Sequence, residues 1–410
     1  MAIADSIREA QSKSSWIRKM FEEGAALKKI HGADKVFDFS IGNPDLEPPR
    51  AFQETLLRLV NEDAAGSHGY MANAGFAAVR DALARKASND HDVTIDGSRV
   101  VMTVGAAGGL NVVLKAILNP GDEVLVTRPY FVEYGAYISN HGGKMVLADT
   151  KPDFDLDIGA IERALTPKTA AFLLNSPHNP TGRVYPASTI KKLADTLRAH
   201  GKKYGRYPYL IADEPYREIV YNGIEVPPVL AAYEESLVVT SYSKSLSLPG
   251  ERIGYIAVGP KVSDGESLIG ALAYTTRILG FVNAPALMQR VVAELTGAKV
   301  DVGVYARRRD AFKAVLDAAG ISYAEPEGAF YLFCKVPPKK SAVDVITSGA
   351  NAGKEDDVAF VMALKDQLVL AVPGSGFGAP GWFRLSYCID ENVIKRSGAA
   401  FKTASDRWRS

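Results

Sequence analysis

Between about residue 100 and residue 260 the chain alternates short apolar runs with longer mixed stretches. The runs are VVMTV (100–104), EVLVT (123–127), KMVLA (144–148), AAFLLN (170–175), YLIAD (209–213), LVVTS (237–241) and IGYIAV (253–258). They are apolar along their length rather than at every second position, as expected of strands covered on both faces. The stretches between most of them are long enough for crossover helices. This pattern predicts an α/β fold: a mostly parallel, seven-stranded sheet with helices on both faces. One connection breaks the rhythm, because only eleven residues, including Pro249 and Gly250, join LVVTS to IGYIAV. A parallel crossover needs a dozen or more, so IGYIAV is expected to run antiparallel, which places Arg252 on the rim where the parallel strands end.

The flanks have a different texture. A polar helical arm is expected from about Ile17 to Ile30, followed by the apolar FDFSIG. A long helix is expected over roughly 285–319, followed by AFYLFCKV (329–336), LVLAV (368–372) and WFRLSYCI (382–389), which together suggest a smaller α+β unit. The expected division is an N-terminal arm with part of the small unit (1–45), a large domain (46–285) and a C-terminal small domain (286–410). The small, polar segment SGANAGKEDD (348–357) is expected to be a mobile surface loop.

Composition narrows the function. At 410 residues, with 47% hydrophobic and 23% charged positions, the chain is an ordinary globular protein rather than a disordered or disulfide-framed one. A net charge of +1 gives no basic surplus for gripping nucleic acid. The two cysteines, Cys334 and Cys388, form no CxxC or metal-ligand spacing, so no metal site is expected. No apolar run is long enough for a membrane span, and the charged N-terminus does not read as a signal peptide, so the expected location is the cytoplasm.

Ligands of open α/β sheets bind beyond the carboxyl ends of the strands, so the residues following each run are the informative ones. After VVMTV comes Gly105-Ala106-Ala107-Gly108-Gly109 and a helical stretch; this is either a plain tight turn or a helix start whose free N–H groups receive a phosphate. After AAFLLN comes Ser176-Pro177-His178-Asn179-Pro180, a rigid loop that can hold the Asn179 amide at one point, or a structural turn in which His178 only bonds the loop. YLIAD ends in Asp213, followed by Tyr216; an aspartate there needs a cation or donors unless it caps the next turn. After LVVTS comes Lys244 among Ser241, Ser243 and Ser245, then Arg252. A partly desolvated lysine offers the neutral amine that Schiff-base chemistry requires; a solvated surface lysine is the alternative. Together these groups describe a site for a phosphorylated aldehyde cofactor. Lys244 would bond the aldehyde and Asp213 would keep a pyridine nitrogen protonated. Asn179 and Tyr216 would hydrogen-bond the ring hydroxyl, while Arg252, Ser241 and Ser243 would meet the phosphate beside Gly105–Ala107.

At this point the chain resembles the class I/II pyridoxal-phosphate aminotransferases of fold type I, through SPHNPTG, ADEPY and SYSKSLSLPGERIGY in that order. The likeness runs from SIGNPDLEPP (40–49) to FRLSY (383–387). It implies pyridoxal 5'-phosphate as cofactor, with Lys244 as its covalent lysine and catalytic base and Asp213 and Tyr216 as its catalytic partners. It further implies that Phe131 stacks on the cofactor ring, that Arg384 clamps the substrate α-carboxylate, and that Gly42 lies against the substrate. Tyr70 is implied to reach the phosphate of a second subunit, which carries with it a homodimer with shared active sites. Without the resemblance, Arg384 reads as a strand-face charge and Phe131 as a core aromatic.

The implied activity is transfer of an amino group from an L-amino acid to a 2-oxo acid such as 2-oxoglutarate, in ping-pong order. Aspartate-type donors, broadly defined, are expected. One departure bears on this: Ala107 stands where some bacterial aspartate aminotransferases carry a lysine, removing one contact for an acidic side chain. Trp16 in the arm would favour an apolar or aromatic substrate. Two rival readings remain. One is a carbon–sulfur β-lyase using the same cofactor; the other is a non-catalytic regulatory module, against which the intact Lys244, Asp213 and Arg384 speak.

Overall fold

The computed structural model describes residues 3–5, 7–8, 16–62, 64–339 and 356–410. The central sheet contains β2 (Val100–Thr103), β3 (Glu123–Arg128), β4 (Lys144–Asp149), β5 (Thr169–Asn175), β6 (Tyr209–Asp213), β7 (Ser236–Ser241) and β8 (Gly254–Val258), after a short β1 at Phe37–Asp38. Its strand order is β2-β8-β7-β6-β5-β3-β4. Strand β8 is antiparallel to both neighbours and every other pairing is parallel, as the short connection after LVVTS required. Alternate residues of each strand enter two separate cores. Phe172, Leu210 and Val238 pack with the helices Ala77–His91 and Ala187–Tyr204, whereas Leu173, Ile211 and Val239 face Gly105–Ile117 and Gly265–Ile278. Each such side chain, fully buried, contributes about 1.5–3 kcal/mol, which is why these strands tolerate no polar face.

A second layer contains β9 (Tyr331–Lys335), β11 (Val372–Pro373) and β12 (Trp382–Ser386), all antiparallel, in the order β11-β12-β9. Strand β10 (Val369–Leu370) pairs in parallel with β1. A helix over Trp16–His31 feeds β1. Backbone bonds then stitch the following loop to β10 and β12, with the Phe39 amide donating to Leu370 O and the Ser386 amide to Phe39 O. This stitching delivers residues 40–42 to the site.

Two expectations change. The single helix over 285–319 is two helices, Ala286–Glu294 and Val302–Ala318. The break contains Gly297, a poor helix former. The Val300 amide donates to Ser245 O, and the Asp301 side chain caps the second helix at the Gly303 amide. The expected loop 348–357 lies outside the described residues up to 355. Its last two residues open the helix Asp356–Lys365, and Asp357 is fully buried rather than at the surface.

Candidate active site

A cavity of about 310 Å³ lies against the carboxyl ends of β2, β5, β6 and β7, with β12 closing its far side. It is built from the strand ends outward. Residues Asn175 and Asp213 are register partners at the tips of β5 and β6, and the Asn175 amide donates to Asp213 O. Its carbonyl oxygen accepts from the Asn179 backbone, which fixes the SPHNPTG loop. Within that loop His178 is buried and bonds Thr181 Oγ1 at 2.8 Å; burial holds its imidazole neutral, pushed down to about 3. It is the loop hydrogen-bonder rather than a catalyst.

Asp213 is buried at the cavity floor. Tyr134 Oη donates to its Oδ2 at 2.5 Å, and among the described residues Oδ1 has no partner. Desolvation raises its carboxyl to about 7, against the Tyr134 bond, which lowers it, while the neighbouring Glu214 charge raises it further. A buried carboxylate with one oxygen unsatisfied is costly unless a donor arrives. Asp213 therefore does not spend its side chain capping the next turn.

Lys244 lies one strand over, in the short helix Tyr242–Ser245 that follows β7. Its Nζ donates to Gly42 O at 2.8 Å and sits 5.3 Å from the Phe330 ring centroid. Desolvation lowers its ammonium to about 8, helped by the Arg384 and Arg252 charges and opposed by Cys388. The solvated surface lysine is thereby excluded. Gly42 is required by space: a Cβ there would come 1.9 Å from Tyr331 Oη. Tyr331 Oη also bonds Tyr216 Oη at 2.9 Å.

At the β2 end, Gly105 has a φ of +70° and opens the helix Gly105–Ile117, which has no side-chain cap. Its first N–H groups are free for an anion. Arg252 lies so close that a Cβ on Gly105 would stand 2.8 Å from its Nη2. The side chains of Ser241, Ser243, Ala106 and Ala107 border the same end of the cavity. Phe131 forms a wall with its ring edge-on to Tyr134 at 5.4 Å.

Arg384, on β12, is fully buried and, among the described residues, has no carboxylate partner. It donates to Asn179 Oδ1 and Ser40 O, both at 2.9 Å, while its Nε is unsatisfied. The Tyr331 and Phe377 rings flank its guanidinium at 4.5 and 4.9 Å. This is a cation desolvated and aimed, with donors left over for an oxyanion.

All the residues expected at the site border this cavity except Gly105, which adjoins it at Arg252, and Tyr70. Tyr70 is not among the lining residues and is 94% exposed. Sequence reasoning missed Tyr134, Asn175, Tyr331 and Ser40. Asn175 carried a signal, as the polar end of a buried run. Tyr134 carried a weaker one, three residues after Phe131 in PYFVEY.

The arrangement defines an α/β enzyme with a strand-end lysine, a buried acid and an arginine anion clamp facing one cavity. Residues 34–400 match the family described as aminotransferase class I and II. The aspartate/prephenate aminotransferase of Thermus thermophilus is 32% identical over 87% of both chains. An aminotransferase structure from Eubacterium rectale superposes with a TM-score of 0.92 at 38% identity, covering 100% of both chains. The Thermus thermophilus aspartate aminotransferase with maleate gives 0.84 at 27% identity, over 98% of this chain and 100% of that one. The chain belongs to the aminotransferase class I and II family, and it is an aminotransferase of the fold-type-I, aspartate aminotransferase-like kind. Enzymes of this family are generally pyridoxal-phosphate dependent.

Proposed function

We propose that the enzyme uses pyridoxal 5'-phosphate to transfer the amino group of an L-amino acid, aspartate-type in the broad sense, to a 2-oxo acid such as 2-oxoglutarate. The observation that carries this reading is the unsatisfied Asp213 Oδ1, buried in the same cavity as a lysine lowered to about 8 and a fully buried arginine whose Nε is unsatisfied. The residues present fit the cofactor: an orphaned acid suits a protonated ring nitrogen, and an uncapped helix start beside Arg252 suits a phosphate.

In this reading Arg252, the Gly105–Ala107 backbone, Ser241 and Ser243 hold the phosphate. Phe131 would lie against the ring, and Asn179 and Tyr216 would be the groups to bond its hydroxyl. Asp213 Oδ1 holds the ring nitrogen proton, while Tyr134 fixes the other oxygen and keeps the carboxyl oriented. When bound, the cofactor supplies an electron sink for charge developing at the substrate Cα. Lys244 Nζ would hold the cofactor aldehyde and, as a desolvated amine facing the cavity, would be the base that takes the substrate Cα proton. Arg384 would hold the substrate α-carboxylate.

The homodimer with Tyr70 reaching the neighbouring site stays part of the proposal. It is supported by exposed apolar pairs sharing a helix face, Leu57 with Val60 and Tyr274 with Ile278. The division at residues 45 and 285 is likewise retained: the core around the small sheet draws mainly on residues before 45 and after 285, with Tyr216, Ile219 and Tyr221 of the large domain joining it. Among the described residues no helix is long and apolar enough to cross a membrane; a cytoplasmic location stays part of the proposal. The test is borohydride reduction of the cofactor-loaded protein followed by peptide mass analysis. The reduced cofactor is expected on the Lys244 peptide; its attachment elsewhere, or none, would overturn the reading.

A further inference from the structure

Asp357 is fully buried in the first turn of a helix whose other inward residues, Val358, Phe360 and Val361, are apolar. Its Oδ2 accepts from the Ser375 amide at 2.7 Å, and among the described residues its Oδ1 has no partner. A polar group buried this deeply is costly, and the exposed Asp356 next to it already complements the helix dipole. Helix stability alone therefore gives Asp357 no reason to point inward.

The Ser375 amide belongs to the tight turn Gly374–Phe377. That turn is clamped on three sides. Gly374 is so close to the Ala379 and Trp382 carbonyls that a Cβ would meet them at 2.3 and 2.6 Å. The Tyr130 amide, next to Phe131, donates to Phe377 O at 3.0 Å. Asp357 holds it from behind. The ring carried at the end of this turn, Phe377, lies 4.9 Å from the Arg384 guanidinium, which also has the Tyr331 ring at 4.5 Å.

We infer that Asp357 is a positioning residue for carboxylate recognition: by fixing the Ser375 amide it sets the Phe377 ring, which holds the Arg384 guanidinium at the angle that receives the substrate carboxylate. This rests on the assignment of Arg384 made above. Binding of amino acid and 2-oxo acid should depend on Asp357, whereas cofactor binding, at the opposite end of the cavity, should not.

The experiment is steady-state kinetics of the cofactor-loaded enzyme with Asp357→Ala, Asp357→Asn, Phe377→Leu and the Asp357→Ala/Phe377→Leu double variant. Asp357→Ala should raise KM about 10-fold for both substrates, with kcat within about 2-fold and the cofactor absorbance unchanged. Asp357→Asn keeps an acceptor oxygen and should restore KM to within about 3-fold. The double variant should be no worse than Phe377→Leu alone, because the two residues act in series. Asp357→Ala with normal KM, fully additive effects, or an Asn variant as impaired as the Ala variant would each overturn the inference. Should Asp357→Ala not fold, Asp357→Glu, which displaces the turn by one methylene, is read in its place with the same expectations. Arg384→Ala separates the two claims: if it too leaves KM unchanged, the Arg384 assignment fails, and if it raises KM while Asp357→Ala does not, only the Asp357 inference fails.

Discussion

The two ends of the cavity are made differently. At the sheet end, Asp213, Asn175 and Ser241 are the last residues of their strands, and Lys244 follows Ser241 by three residues. Position here is set by parallel register, which hydrogen bonding within one sheet enforces. At the clamp end, Arg384 is held by Ser40, Asn179, Tyr331 and Phe377, drawn from four separate stretches of chain. No local pattern specifies that meeting; packing of the small sheet against the large one does. The sheet end should therefore govern chemistry and cofactor, and the clamp end substrate affinity.

The strongest way to break that comparison is Lys244→Ala. It should lower kcat by at least about 10⁴-fold while the protein stays folded, checked by steady-state turnover and circular dichroism. Unchanged turnover would remove Lys244 from the mechanism. Asp213→Asn should follow, with kcat down about 10³-fold, since an amide cannot hold the ring proton as an anion does. Arg384→Ala should raise KM for amino acid and 2-oxo acid about 100-fold, with Arg384→Lys recovering only part, because the bidentate geometry is lost. If Arg384→Ala instead lowered kcat with KM intact, the division of labour between the two ends would be wrong.

Two pH effects sharpen the sheet end further. Capture of the cofactor aldehyde by cofactor-free enzyme needs the neutral Lys244 amine. With the ammonium at about 8, the rate should rise about 10-fold between roughly pH 7 and pH 9 and level above that, in stopped-flow absorbance. Asp213 acts on stability. Its folded value of about 7 exceeds the ordinary 3.8, so the folded chain binds the proton more tightly than the unfolded chain between those values. Stability of the cofactor-free enzyme must then fall as pH rises through that window and level off above it. Asp213→Asn lacks this loss, so its melting temperature should gain on the wild type between about pH 5 and pH 8; a constant difference would contradict the burial argument.

This contrast also explains what could be read without a structure. The seven runs and the eleven-residue connection were enough for the sheet and the reversed β8, because buried strands must be apolar throughout and short connections cannot cross over. Asp213, Lys244 and Arg252 were readable as the polar residues bordering apolar runs. Arg384 and Phe131 came only through resemblance, since a charge within a strand and an aromatic after a proline look structural until their neighbours are known. Tyr134 stayed hidden because its bond to Asp213 joins residues 79 positions apart. The helix break at 295–301 was hidden by a similar cause: its amide at Val300 is satisfied by Ser245, across the molecule. Asp357, expected in a surface loop, is polar by composition and buried by tertiary packing.

The central claim is that Lys244 and Asp213 work on one bound cofactor to move an amino group. The most direct measurement is the visible absorbance of the purified, cofactor-supplemented enzyme titrated with a panel of amino acids in the absence of any 2-oxo acid. The account predicts an absorption band of lysine-bound cofactor that converts to that of the amine form and stays there, with the responding amino acid naming the donor. A band that returns unchanged while pyruvate and ammonia accumulate would contradict transamination in favour of elimination. No band at all would mean that Lys244 does not hold the cofactor.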